Sequence, residues 1–116
     1  MYSTFSNDIL NDFFILGIKD FNSTKFQKTH IVWEKIWKKG NMKDRKKIKG
    51  FIQLSGAIIN HIRGKKESSD YLFTKSIGNI SSNNFRRILD QDKLIDDIKS
   101  FYNKGNISIT VYKESL

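Results

Sequence analysis

Residues 50–64 read GFIQLSGAIINHIRG, and this stretch decides the fold. Apolar residues recur every three or four positions in and before it, which is the period of an amphipathic α-helix. We predict a helix from about Asp44 to Arg63 that Gly64 ends. Its broad apolar face holds Ile48, Phe51, Ile52, Ser55, Ile58, Ile59 and Ile62. A second face consists of small or polar residues, which let other helices approach closely; it holds Gly50, Gln53, Ala57 and His61. We therefore predict that this third helix lies at the centre of a bundle.

The preceding helix is predicted over about Thr24 to Lys39. Ser23 is the expected N-cap and Gly40 the expected C′ glycine. One face of this helix combines aromatic and polar side chains at helical spacing, namely Phe26, His30, Trp33 and Trp37.

A first helix is predicted to begin at a cap provided by Ser6 or Asn7 and to run to about Phe21. The break that follows it is short, so the first two helices are expected to form an antiparallel hairpin. Two later helices are predicted over Glu67–Ile77, burying Tyr71, Leu72 and Phe73, and over Gln91–Asn103, with Asp90 as cap and Gly105 as stop. Residues 107–112 alternate as a strand does, which predicts an extended tail on the bundle or a short edge segment. The fold class is all-α, with about five helices built from helical hairpins.

Composition narrows the possible classes of protein. A chain of 116 residues suits one domain spanning 1–116, and the absence of cysteine excludes disulfides and thiolate chemistry. No apolar run of about 18 residues occurs, so no membrane span is expected. Asp8 and Asp12 interrupt the first apolar stretch, which is unlike a signal peptide. We expect a cytoplasmic protein, or one of a plastid stroma if the Lys-, Ile- and Asn-rich composition reflects an organelle genome.

Four polar residues on the second and third helices are the candidates for a pocket: His30, Glu34, Gln53 and His61. His30 and Glu34 are four residues apart, so their side chains can meet, and a carboxylate beside an imidazole fixes its tautomer. The four would converge if the two helices cross there. Such a set can be a structural hydrogen-bond network, a polar ligand pocket, or an acid–base or metal site. The structural network is favoured, because Ile31 interrupts a zinc-binding HExxH pattern; no metal or cofactor is predicted.

Trp33 and Trp37 border the same candidate pocket. As core residues they would bury a large area, whereas an exposed pair would stack a base or another ring. Their shared stripe with Phe26 favours the core.

A run of cations spans the end of the second helix and the start of the third, with a formal net charge of +9 for the whole chain. It can be an ordinary solvated surface, or a patch that contacts phosphate or another anion. The anion-binding candidates are Lys38, Lys39, Lys43, Arg45, Lys46, Lys47 and Lys49.

The stretch FQKTHIVWEKIW at residues 26–37, followed by GFIQLSGAIINHIRG, resembles the signature of the DUF309 family. Ile31 departs from that signature, where the family has Glu. The resemblance implies a compact helical bundle and no established activity. Positions that match the family are His30, Trp33, Glu34, Trp37, Gly50, Gln53, Ala57, His61 and Gly64.

Two functional hypotheses follow from the sequence. The first is a non-enzymatic binding or scaffold module whose basic loop contacts a protein or RNA partner. The alternative is a small enzyme or ligand-binding protein that uses the four-residue pocket.

Overall fold

The helix over Met42–Ile62, here α3, lies at the centre of the protein, packed against a neighbour on each side. The computed structural model describes residues 4–112, and within them it has six helices and no strand. The others are α1 (Asp8–Asn22), α2 (Phe26–Lys39), α4 (Lys66–Ser81), α5 (Gln91–Lys99) and α6 (Phe101–Lys104). The all-α prediction with a central third helix is confirmed.

The hairpin of α1 and α2 depends on a very close approach of the two helices. Asn7 caps α1 through its side chain, as predicted. A Cβ atom on Gly17 would lie 2.1 Å from Nε1 of Trp33, so only glycine leaves room for the indole. Trp33 Nε1 donates to the Phe14 carbonyl at 3.3 Å, and the Thr29 hydroxyl donates to the Gly17 carbonyl at 3.1 Å.

The predicted cap of α2 at Ser23 is wrong. The helix begins two residues later, after Lys25, and no side chain caps it. Ser23 instead ends α1 through its backbone N–H, and Thr24 turns the chain with a φ of 60°. The connection between α1 and α2 is therefore a tight turn in which Thr24 adopts the left-handed backbone conformation.

The connection from α2 to α3 consists of Gly40 and Asn41. Gly40 ends α2 as predicted, but it does so at the C-cap position, one residue earlier than C′, and its backbone is extended at φ −83° and ψ 166°. A Cβ here would lie 2.5 Å from the Cβ of Asp44, so glycine is required for the close approach. Asn41 and Asp44 form a reciprocal capping box that starts α3.

The α3–α4 hairpin turns at Gly64, which has a φ of 76°, as expected for a terminating glycine. Its helices are held close by Ser69, whose buried hydroxyl donates to the Ala57 carbonyl at 2.8 Å. Helix α4 buries Phe73 and Ile80, whereas Tyr71 is 61% exposed and Leu72 only partly buried. The predicted burial of Tyr71 is therefore wrong.

Beyond α4, a single buried glutamine organises the loop. Gln91 accepts from the Phe85 backbone N–H at 2.6 Å and donates to the carbonyls of Ile80 and Asn83. The predicted fifth helix has its Asp90 cap, but it breaks at Ser100 into α5 and α6.

The segment after Gly105 is extended and lies on the bundle, as one of the two predicted alternatives has it. Val111 forms an isolated antiparallel bridge with Leu89, and Ile107 and Ile109 are buried. Asn22 at the end of α1 bonds both backbone groups of Ile109, at 2.8 and 2.7 Å.

The core is built around aromatic rings from four segments of the chain. Phe51 of α3 makes edge-to-face contacts with Phe14, Trp33 and Phe85, with centroids 5.0, 5.3 and 5.0 Å apart. Within residues 4–112, no helix is long and apolar enough to cross a membrane.

Candidate functional site

His30 is the best-placed polar residue between α2 and α3. Its Nδ1 lies 2.7 Å from the Ser55 hydroxyl oxygen, and its Nε2 lies 3.6 Å from a Glu34 carboxylate oxygen. The Ser55 hydroxyl also donates to the Ile52 carbonyl at 2.9 Å. That hydroxyl has one hydrogen, so it either accepts from Nδ1–H of His30 or donates to Nδ1, according to the histidine tautomer. The imidazole is thus oriented by both helices.

Glu34, His30 and Ser55 are the residue types of a hydrolase triad, but their roles differ from those of a triad. A nucleophilic serine donates its hydrogen to the histidine and faces the substrate. Ser55 is fully buried, so it does not face a substrate, and its hydroxyl also lies 2.9 Å from the Ile52 carbonyl oxygen. The arrangement therefore supports helix packing, and it does not activate Ser55.

Gln53 and His61 do not join His30. Gln53 accepts from the side-chain amide of Asn79 in α4 at 2.7 Å. His61 is exposed on another side of α3, where its ring meets Phe101 edge-on at 5.0 Å and Tyr102 at 5.6 Å. The predicted convergence of four side chains is wrong, because positions 53, 55 and 61 point in different directions around the helix.

The surroundings of His61 form a separate polar contact between α4 and α6. The Tyr102 hydroxyl donates to the Asp70 carboxylate, which also pairs with Lys66 at 2.7 Å. The hydrogen bonds from Lys66 and Tyr102 lower the pKa of Asp70, and the bond to Asp70 raises the pKa of Tyr102. All three side chains lie at the surface, where they hold α6 against α4.

The two tryptophans have opposite environments. Trp33 is fully buried, as the core interpretation predicts, whereas Trp37 is 39% exposed and does not belong to the core. The Arg45 guanidinium lies over the Trp37 ring, 5.6 Å from its centroid, and Arg45 Nε donates to the Trp37 carbonyl at 2.9 Å. This contact gives the α2–α3 corner an aromatic surface beside its cations.

Most of the basic run is solvent-exposed. Among residues 4–112, none of its seven cations forms an ion pair, although Lys47 donates to the Thr4 carbonyl and Arg45 lies against Trp37. The exposed members are Lys38, Lys39, Lys43, Lys46 and Lys49.

The one acid within that run is turned away from the surface. Asp44 is 2% exposed and accepts from the Ser6 backbone and hydroxyl at 2.9 and 2.5 Å, and from the Asn41 backbone at 2.9 Å. Burial raises its pKa, but the hydrogen bonds from Ser6 and Asn41 and the charge of Lys47 together lower it by more, so the net direction is downward. Its negative charge is used inside the fold, not to pair surface lysines.

A groove between α2 and α3 continues from this corner. Its volume is about 250 Å³, and it is lined by Glu34, Trp37, Lys49, Ile52 and Gln53. It therefore combines an indole and an aliphatic wall with a carboxylate, an amide and an ammonium group. The rest of the predicted pocket is absent from this lining.

Sequence reasoning missed Asn79, the contact between Ser55 and His30, and the stacking of Arg45 on Trp37. A signal for Ser55 was present, since it is a hydroxyl among the isoleucines of the broad apolar face. Nothing in the sequence indicates that Arg45 lies over Trp37, because that contact depends on the turn between the helices. No group of three or more His, Asp or Glu residues in the described part of the chain could hold a metal ion.

These features define a class: a small domain of helical hairpins with an exposed groove beside an unpaired cationic corner. The family model for a domain of unknown function (DUF309) matches residues 14–71, half of the chain. The chain therefore belongs to the DUF309 family, and the resemblance seen in the two signature stretches is confirmed. No curated protein matches the chain in sequence.

Proposed function

We propose that this protein is a non-enzymatic binding module that binds single-stranded RNA at the corner between α2 and α3. The observation that carries the proposal is the cluster of exposed, unpaired cations next to the Trp37–Arg45 stack. Exposed lysines without an ion pair also occur elsewhere in the described chain, such as Lys19, Lys28 and Lys99, but the corner places five of them between positions 38 and 49. The inward orientation of Asp44 leaves the corner without a surface acid from its own run.

RNA is favoured over an acidic protein because of the exposed indole. Single-stranded nucleic acids are bound by a positive surface that follows the phosphates and by aromatic side chains that stack on unpaired bases. Trp37 and the adjacent lysines supply both. Unpaired bases are the usual target of proteins that bind RNA, whereas bases in a duplex cannot stack on a side chain. This role is compatible with the cytoplasm, and with a plastid stroma as the alternative.

The test is titration with a single-stranded RNA of mixed sequence at several salt concentrations. If the protein contacts about four phosphates, a plot of the logarithm of the RNA association constant against the logarithm of the salt concentration should have a slope of about −3. Trp37 provides a fluorescence signal at the site, and a Trp37→Phe variant leaves Trp33 as the buried background.

A charge-matched pair of triple variants separates a local site from overall charge. Replacing Lys38, Lys39 and Lys43 with Gln should weaken binding at least about tenfold, since each lost phosphate contact reduces the salt-dependent affinity. The control replaces three exposed lysines outside the corner with Gln, and it should lose far less; these are Lys19, Lys28 and Lys99. The proposal would be overturned if both triple variants lost RNA affinity equally, or if the wild-type protein showed no salt-sensitive RNA binding. Binding to an acidic protein alone would overturn it as well.

A further inference from the structure

We infer that the groove between α2 and α3 holds an unpaired guanine base of the bound RNA. This inference rests on the proposed function and gives it a base preference. The groove opens beside the cationic corner, since Trp37 and Lys49 belong to both surfaces. A strand that follows the corner lysines can therefore place one base in the groove while its phosphates remain outside.

The size and walls of the groove suit a single planar base. Its volume of about 250 Å³ is below the roughly 300–1,000 Å³ typical of pockets for drug-sized ligands. The Trp37 ring and the Ile52 side chain provide apolar walls. Stacking on an aromatic side chain contributes affinity for any base, so the walls alone give no preference.

The preference arises from Glu34. Among residues 4–112 it is the one acid in the groove lining, and its side chain is 44% exposed, with one oxygen 3.6 Å from His30 Nε2. A carboxylate accepts two parallel hydrogen bonds from a pair of adjacent donors. Guanine presents such a pair, its N1–H and its exocyclic amino group, on the edge that is free in single-stranded RNA. The other three bases lack two adjacent donors there.

Donors for the acceptor side of guanine are also present. Gln53 is oriented by its bond to Asn79, in which the Gln53 oxygen accepts, and this leaves the Gln53 NH₂ group as a donor. Lys49 adds an ammonium group to the same lining. Both can donate to the O6 or N7 atoms of guanine, the acceptors that cationic side chains commonly contact. A carboxylate in a surface that binds phosphates would otherwise weaken binding by repulsion.

The experiment compares uridine octamers that carry one central G, A, C or U, with fluorescence as the readout. We expect the G-containing octamer to bind about tenfold more tightly or better, as one bidentate base contact allows. In a Glu34→Gln variant the G-containing octamer should bind within about twofold of the U-only octamer, because a carboxamide cannot accept both guanine donors, while the salt slope stays unchanged. Glu67→Gln is the matched control, since Glu67 is an exposed acid on α4, and it should keep the preference.

The outcomes distinguish this inference from the proposed function. Salt-sensitive RNA binding without a guanine preference, or a preference that survives Glu34→Gln, overturns the inference and leaves the function standing. Absence of RNA binding overturns both. Guanosine monophosphate that binds as tightly as the octamer identifies a mononucleotide pocket and overturns the RNA assignment. A thermal melt of Glu34→Gln establishes that any loss of preference occurs in a folded protein.

Discussion

The orientation of Asp44 determines whether the lysines around it are neutralised or remain available to bind another anion. In the sequence it is the single acid among lysines, where it would be expected to neutralise them. In the structure its carboxylate accepts hydrogen bonds from Ser6 and from the Asn41 backbone, so it fixes the chain before α1 to the start of α3. The surface lysines are thereby left to meet another anion.

Replacing Asp44 with Asn should destabilise the protein by about 1–3 kcal/mol at neutral pH, because an amide NH₂ cannot accept these hydrogen bonds. The folded-state pKa of Asp44 is lowered from its ordinary value of 3.8. Its stabilising effect is therefore complete at pH values above the pKa of the unfolded chain, and it is lost as pH falls through the folded-state pKa.

Urea denaturation of both proteins at a series of pH values measures this dependence. The difference in free energy of unfolding between wild type and Asp44→Asn should be full near neutrality and should narrow below about pH 4. Asp96→Asn, an exposed acid on α5, is the control and should show little difference. A gap that stays constant into acid would contradict the role assigned to Asp44.

Individual side chains were the least predictable part of the site. Trp33 and Trp37 share a stripe in sequence, yet a residue spacing of four carries a helical position to the edge of the buried face. Trp33 points at α1, and Trp37 reaches beyond it to the exposed corner. On α3, positions 55 and 61 likewise point in different directions, so Ser55 meets His30 and His61 does not. Whether two residues on one helix reach the same neighbour depends on helix crossing, which the sequence pattern does not encode.

At the scale of helices, the pattern of apolar residues was sufficient to predict most of the fold. Asn7, Gly64, Asp90 and Gly105 end or begin helices where expected. The failures are local: Ser23 does not cap α2, because the three-residue connection between α1 and α2 places Thr24 in the left-handed region. Propensity and capping rules rank single residues, whereas such a turn is imposed by how tightly α1 and α2 pack.

Glycine positions in the α3–α4 hairpin give opposite predictions for the same substitution. A Cβ on Gly50 would lie 2.7 Å from Cγ1 of Ile80 and 2.8 Å from its backbone nitrogen, so Gly50→Ala would force α4 away. We expect a loss of about 1–3 kcal/mol, as for an overpacked core. A Cβ on Gly78 would point into open space, with no neighbouring side chain within 4 Å, and Gly78→Ala should stabilise α4 by about 0.5–1 kcal/mol.

Thermal denaturation of the two alanine variants is the direct comparison, since both change one glycine in the same pair of helices. Gly50→Ala should melt below wild type and Gly78→Ala above it. A rise in melting temperature for both variants would show that helix propensity, and not the close approach of α3 and α4, governs this hairpin. A fall for both would contradict the open space assigned to Gly78.

Contacts between parts of the chain that are distant in sequence hold the molecule together. Its radius of gyration of 13.1 Å is near the roughly 13 Å expected for a domain of about 100 residues. The aromatic core joins α1, α2 and α3 with Phe85 of the loop after α4. The extended tail is bonded to Asn22 of α1 and bridges to Leu89 before α5, with its Ile107 and Ile109 side chains buried.

Asn22 is the residue on which attachment of the tail to α1 depends, because both ends of its side-chain amide bond the backbone of Ile109 across 87 positions of sequence. Asn22→Ala should cost about 1–2 kcal/mol, since two backbone groups lose their partners. Hydrogen exchange should accelerate for the Ile109 amide, while amides of α3 keep most of their protection, as expected for local opening.

Asn103→Ala, an exposed position on α6, is the matched control and should leave exchange in the tail unchanged. Unaltered exchange at Ile109 in Asn22→Ala would mean that burial of Ile107 and Ile109 holds the tail by itself, because the apolar contacts are then sufficient without the amide clamp.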